Sequence, residues 1–258
     1  MSLGQPHFER IQSKENEFMN GLWKDNDTDP AMGKENIKHV ETREVAVFLF
    51  LIVPSMLLSF FAVKQGTLNF PLVAFATIFR DLAMVALILF FLWRNGEPVS
   101  QIGWNLKGGW IEVIWGGILF IPLFISAGFL ENGLQRLGFS VPATPSPFSA
   151  ATSGPFNILT AFLLVAIVAF SEETIFRGYI ILRFRNITAK PIQAVLFSSV
   201  IFSLGHGYEG SAGVITVGYM GLVFGLVYLW RRNLIAPITI HFLQDFGGIL
   251  VLPFLGGQ

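Results

Sequence analysis

The chain has 258 residues, of which 53% are hydrophobic and 13% are charged, and its mean hydropathy is +0.61. This charged content is about half of the roughly 25% found in soluble domains, so the composition favours a membrane protein. The formal net charge of zero gives no sign of a nucleic-acid partner, and the absence of cysteine excludes cysteine nucleophiles, thiolate metal sites and disulfides.

The order of polar and apolar segments predicts an all-α, polytopic membrane helix bundle. Residues 1–44 are polar and mixed in charge, and they predict a cytoplasmic N-terminal arm. Residues 45–155 form an N-terminal transmembrane region and residues 156–258 a C-terminal core. About 20 apolar residues cross a bilayer as a helix. Seven stretches approach that length: Val45–Val63, Phe70–Trp93, Trp110–Leu130, Phe156–Arg177, Ile192–His206, Val214–Trp230 and Leu234–Phe254.

The distribution of lysine and arginine predicts the orientation of these spans. Thirteen of these residues lie in the arm and in the loops expected on its side of the membrane. Two, Lys64 and Arg136, lie in the opposite loops, and the remaining two lie within spans. Because basic residues accumulate in cytoplasmic loops, the pattern predicts that the N-terminus is inside and the C-terminus outside.

Three short clusters of ionisable residues interrupt the apolar sequence of the C-terminal core. A charge at the bilayer centre costs roughly 2.5–3.5 kcal/mol on insertion scales, so such residues usually serve a site. Two of the four histidines in the chain belong to these clusters. The members are Glu172, Glu173 and Arg177 in the first, Phe202 and His206 in the second, and His241 and Asp245 in the third.

The first cluster predicts a division of labour between two adjacent carboxylates. Glu173 and Arg177 are four residues apart, so on a helix they share one face and can form an ion pair. Glu172 points about 100° away and lacks that partner. An unpaired carboxylate in an apolar cavity suits a general base. The alternative is that all three residues mark the cytoplasmic end of the helix.

The second and third clusters add groups that complement such a base. Asp245, four residues after His241, can accept a hydrogen bond from the imidazole and fix its tautomer. One Glu and one His can hold and deprotonate a water while a second His stabilises an oxyanion, which predicts hydrolysis of an amide at the membrane. The same side chains would also suit zinc or iron, but no HExxH pattern is present.

The three motifs, in this order and at this spacing, resemble the CPBP family. This group contains CAAX prenyl endopeptidases, Abi proteins and bacteriocin-processing or immunity proteins, and is also described as glutamic-type intramembrane proteases. The resemblance covers residues 156–254. It implies a multi-helix membrane bundle, with residues 156–258 as its catalytic core, and a site that needs no metal or cofactor.

The resemblance also implies roles for individual side chains. Glu172 and His206 would activate water, while His241 and Asp245 would help to form the oxyanion hole. Supporting roles would fall to Glu173, Arg177 and Phe202. The prenyl-peptidase branch has Asn at the position of Asp245, and an ionised Asp cannot donate to an oxyanion. Asp245 is therefore expected to orient His241 or to be held protonated.

These features predict an intramembrane endopeptidase of the bacterial cytoplasmic (inner) membrane. Its partners would be a membrane-protein or lipidated-peptide substrate and membrane lipid, without nucleic acid. Two alternatives remain: a non-catalytic membrane scaffold or immunity protein of the same fold, and a metal-dependent membrane hydrolase. Metal content and catalytic activity of the purified protein separate these three.

Two further patterns predict packing rather than chemistry. Gly221 and Gly225 form a GxxxG pair that permits close helix approach, within the chain or, alternatively, in a homodimer. Arg80 and Asp81 lie midway along the second predicted span. Because adjacent residues on a helix do not face each other, these two are expected to pair with different partners as a structural clamp.

Overall fold

The computed structural model describes residues 30–59, 69–141, 148–188 and 190–255. These residues form seven principal helices: α1 Pro30–Ser59, α2 Phe70–Arg94, α3 Trp110–Arg136, α4 Pro155–Thr188, α5 Pro191–Leu204, α6 Gly210–Arg231 and α7 Ile235–Val251. Short 3₁₀ turns occupy Val99–Ile102 and Gly207–Glu209, and α7 continues as Leu252–Leu255. No strand occurs in the described ranges, which confirms the prediction of an all-α chain.

The polar N-terminal segment is only partly included in this description. Residues 1–29 of the predicted arm, and the end of the first predicted span beyond Ser59, lie outside the described residues. Helix α1 begins at Pro30, within the predicted arm. The chain divides after Glu41 into two units, and the site described below belongs entirely to the second.

Four helical segments in the described ranges are long and apolar enough to cross a membrane: Phe70–Arg94, Trp110–Arg136, Pro155–Thr188 and Gly207–Arg231. Helices α5 and α7 are apolar but shorter. Half of the apolar window is buried in α4 and α6, against 17% in α3, so α4 and α6 are interior helices. The count of seven spans and the inside location of the N-terminus remain predictions.

Ion pairs join the helix ends that the sequence predicts on the cytoplasmic side. Arg183, near the end of α4, lies 2.8 Å from Glu97 and 3.4 Å from Glu44. Arg231, the last residue of α6, pairs at 2.6 Å with Glu112 in the first turn of α3. The loop between α2 and α3 therefore lies beside the basic ends of α4 and α6.

Two glycines show how closely the interior helices approach each other. A Cβ on Gly178 of α4 would lie 2.7 Å from the carbonyl oxygen of Ile102. A Cβ on Gly225 of α6 would lie 2.6 Å from a methyl carbon of Val195 on α5. Side chains at these positions would force the backbones apart, so the prediction of packing within the chain at Gly225 is confirmed.

Candidate active site

The centre of α4 departs from α-helical geometry at the first motif. Residues Glu173–Ile180 form a π-helical segment whose side chains are all buried, and Glu172 is the last residue before it. The indole nitrogen of Trp104 donates to the Thr174 hydroxyl at 3.1 Å and anchors this segment against the loop before α3. Single-turn π segments inside α-helices occur frequently at functional sites.

The ion pair predicted from the spacing of Glu173 and Arg177 is present and fully buried. Arg177 Nη1 lies 2.9 Å from Glu173 Oε1, and the two side chains are 1% and 0% exposed. Arg177 Nη2 donates to the carbonyl oxygen of Gly221 at 3.3 Å. The guanidinium also lies 4.2 Å from the centre of the Phe202 ring and 4.9 Å from that of Phe224. The charge of Glu173 is therefore compensated within the protein.

His241 lies between the carboxylates of two different helices. Its Nδ1 donates to Glu173 Oε1 at 2.8 Å, and its Nε2 lies 3.4 Å from Asp245 Oδ2 and 3.8 Å from Glu172 Oε2. The ring stacks on Phe224 with centroids 5.5 Å apart. A carboxylate only accepts hydrogen bonds, so Glu173 fixes a proton on Nδ1 and directs Nε2 towards Glu172 and Asp245.

Glu172 has surroundings that differ from those of its neighbour. Its side chain is 16% exposed, and its Oε2 atom is buried with no hydrogen-bond partner among the described residues. The 3.8 Å separation from His241 Nε2 is too long for a hydrogen bond. A water placed beside the line between these two atoms could bond to both. Glu172 is therefore the carboxylate that is available to a water.

The second motif brings Phe202 into contact with both histidines. Ring centroids are 5.0 Å apart between Phe202 and His206, and 5.9 Å apart between Phe202 and His241. His206 Nδ1 lies 3.2 Å from the Phe202 carbonyl oxygen. Within the described part of the chain, no hydrogen bond joins His206 to Glu172 or His241. The structure thus gathers six predicted residues tightly, with His206 connected through Phe202.

Residues 154–247 match the family model described as type II CAAX prenyl endopeptidase, Rce1-like. This segment is an Rce1-like domain. The match confirms the resemblance inferred from the three motifs. No curated protein and no solved structure matched the chain.

The Rce1-like domain contains every predicted site residue and most of the interior of the bundle. It extends from the residue before α4 into the last turns of α7. Together with the apolar helices, the family assignment makes the chain an integral membrane protein of a protease family. The hydrolytic mechanism is a finer question that depends on the side-chain geometry.

Two charged residues outside the Rce1-like domain also face its site. Arg80 and Asp81 pair with each other, which makes the prediction of separate partners wrong: Arg80 Nε and Nη2 each lie 2.9 Å from Asp81 Oδ1. The long arginine stem can turn back along the helix, which the rule for adjacent residues does not consider. Both residues interact electrostatically with Glu172. Their occurrence in an apolar span was the sequence signal.

The carboxylates and histidines of the site do not have the arrangement of a metal centre. Among the described residues, no group of three or more His, Asp or Glu side chains is placed to hold a metal ion. The geometry of the Rce1-like domain therefore offers no observation that favours the metal-dependent alternative. The observed contacts are those of a hydrogen-bonded base and its neighbouring imidazole.

Proposed function

We propose that the Rce1-like domain hydrolyses a peptide bond of a membrane-associated protein, with Glu172 as the general base. The observation that carries this proposal is the buried, unpartnered Oε2 of Glu172, 3.8 Å from His241 Nε2. Glu173 cannot take this role in the same way, because Arg177 and His241 both engage its Oε1 atom.

The proposed reaction needs only water and the peptide. Glu172 takes a proton from the water as the water oxygen bonds to the carbonyl carbon, and the carbonyl electrons move onto oxygen. The C–N bond then breaks, and Glu172 returns the proton to the leaving amine nitrogen. General acid–base catalysis of this kind contributes typically 10²–10⁴-fold to a rate.

The two histidines have complementary positions in this proposal. His206 helps Glu172 to hold the water, and His241 stabilises the oxyanion. The oxyanion forms on the carbon that the water attacks, so a donor beside Glu172 is within reach of it. Asp245, 3.4 Å from His241 Nε2, orients the ring from the same helix. Phe202, in contact with both imidazoles, supports their separation.

The substrate class follows from the family and from an apolar groove on the same helices. Proteins of the matched family are named as CAAX prenyl endopeptidases, and a CAAX motif is a C-terminal sequence whose cysteine carries a prenyl chain. A groove of about 560 Å³ lies between α4 and the end of α7, lined by Pro155, Ile158, Leu159, Phe162, Phe246 and Leu250. We infer that the substrate is the C-terminal tail of a lipidated protein.

A comparison of cells that carry the wild-type protein with cells that carry Glu172→Gln tests this function. Quantitative mass spectrometry of membrane-protein termini should reveal fragments that appear only with the wild type. The variant must be present in the membrane at the same level, since Gln keeps the shape of Glu. Identical termini in the two strains, under conditions where the wild type has an effect, would favour the non-catalytic scaffold.

A further inference from the structure

Arg80 is an exposed charge at an unusual depth in the molecule. It lies near the middle of α2, about 15 Å from the first residue at ~1.5 Å per residue. Its side chain is 54% exposed, whereas the Asp81 side chain is 4% exposed. A structural clamp would bury both partners. Charged groups within a span otherwise face a water-filled cavity or a functional pathway, because exposure to lipid is costly.

The guanidinium retains unused hydrogen-bonding capacity. Asp81 Oδ1 accepts from Nε and lies 2.9 Å from Nη2, but Nη1 donates to no group in the described ranges. Asp81 Oδ2 is buried and also has no hydrogen-bond partner there. Asp81 therefore holds one edge of the guanidinium, and the outer edge remains available to a second anion.

The same face of α2 leads to the site. Ala74 and Ile78 on α2 pack in one apolar cluster with Ala161 and Leu164 on α4. Asp81 continues this buried face and interacts electrostatically with Glu172 and His241, and Arg80 interacts with Glu172. Arg80 thus borders the site at the level of the proposed base.

We propose that Arg80 binds the C-terminal carboxylate of the substrate peptide. The inference rests on the proposed function and deepens it, because it assigns a residue that recognises the end of the substrate. The planar guanidinium fork matches a carboxylate and can bond to it through two parallel hydrogen bonds.

The balance of charge in the site supports this assignment. Asp81, Glu172, Glu173 and Asp245 contribute four carboxylates, while the buried Arg177 is engaged by Glu173. A peptide that ends in a carboxylate needs a further cation in order to approach Glu172. The depth of Arg80 favours a carboxylate on an inserted chain over a lipid phosphate, because phosphates lie outside the hydrocarbon core.

The test compares two peptides that differ only at the C-terminus. Each ends in farnesyl-cysteine followed by two aliphatic residues and one further residue, with either a free carboxylate or a terminal amide. The purified full chain in detergent should cleave the acid with a kcat/KM at least about tenfold above that of the amide. Arg80→Gln should reduce this ratio towards one, and Arg80→Lys should keep part of it.

Arg231→Gln is the matched control for the loss of an arginine. It also leaves a buried carboxylate, Glu112, without its partner, but it lies at the basic end of the bundle. The control should keep the acid-to-amide ratio of the wild type. An unchanged ratio in Arg80→Gln, or an equal fall of the ratio in Arg231→Gln, would overturn the proposal.

Binding measurements separate this proposal from the failure of the proposed function. If the wild type cleaves neither peptide, the hydrolytic function is wrong for this substrate class. Fluorescence anisotropy with labelled peptides and the Glu172→Gln protein then decides the role of Arg80. At least about tenfold tighter binding of the acid, lost on adding Arg80→Gln, supports the subsite. Equal affinities in the two proteins would contradict it.

Discussion

Glu172 and Glu173 are neighbours with the same side-chain chemistry, but their surroundings separate activity from stability. Glu173→Gln leaves Arg177 buried without a charged partner, and breaking a buried ion pair costs about 3–5 kcal/mol. Glu172→Gln removes no hydrogen bond of the described structure. We therefore expect Glu173→Gln to lower the unfolding free energy strongly and Glu172→Gln to change it little.

Reversible denaturation of the two purified variants in the same detergent measures this difference. Activity gives the complementary readout, since Glu172→Gln should lower kcat by about 10²–10⁴-fold in a protein of normal stability. Equal stability losses in the two variants would show that Glu172 also serves the packing of α4.

Asp245 allows the orienting role of a carboxylate to be distinguished from its charge. An Asn at this position keeps an oxygen that can accept from His241 Nε2, and it adds a donor for an oxyanion. We expect Asp245→Asn to retain activity within about tenfold, and Asp245→Ala to lose about 10–100-fold, as for other residues that orient a functional histidine. Peptidase kinetics measure both, and an inactive Asn variant would point to a need for the negative charge.

At the scale of the helices, Gly221 is where α6 allows Arg177 to reach its backbone. A Cβ there would lie 3.1 Å from Phe202 Cδ1 and 3.2 Å from Arg177 Nη2. Gly221→Ala should therefore displace the guanidinium, lower the unfolding free energy by about 1–3 kcal/mol and reduce activity. Gly117→Ala on α3 is the control, because nothing lies within 4 Å of its Cβ position. Denaturation and kinetics of both variants should change only for Gly221→Ala.

The sequence predicts contacts within one helix better than contacts between helices. The spacing of four predicts the pair of Glu173 and Arg177, which is present. The hydrogen bond from His241 to Glu173 joins residues 68 positions apart, and its formation depends on how α4 and α7 pack. Periodicity also gives no sign of the π segment, because a π segment changes the register only where tertiary packing requires it.

The whole molecule places its basic helix ends together, and this arrangement provides a test of orientation. The chain contains no cysteine, so single cysteines can be labelled without background. Leu106 and Leu137, in loops at opposite ends of α3, are 87% and 78% exposed. If the N-terminus is inside, a membrane-impermeant maleimide applied to intact cells should label Leu137→Cys but not Leu106→Cys. Labelling of Leu106→Cys alone would reverse the orientation.

The short length of α5 bears on the water supply of a hydrolase surrounded by lipid. Its 14 residues extend about 21 Å, whereas the hydrocarbon core is ~30 Å thick. If α5 begins at one membrane surface, the turn that follows it, with His206, Tyr208 and Glu209, lies below the other surface. Backbone and side-chain groups at that depth require hydrogen-bond partners from protein or water. The end of α5 thus thins the barrier between bulk solvent and Glu172, so a reactant that lipid excludes has only a short distance to travel.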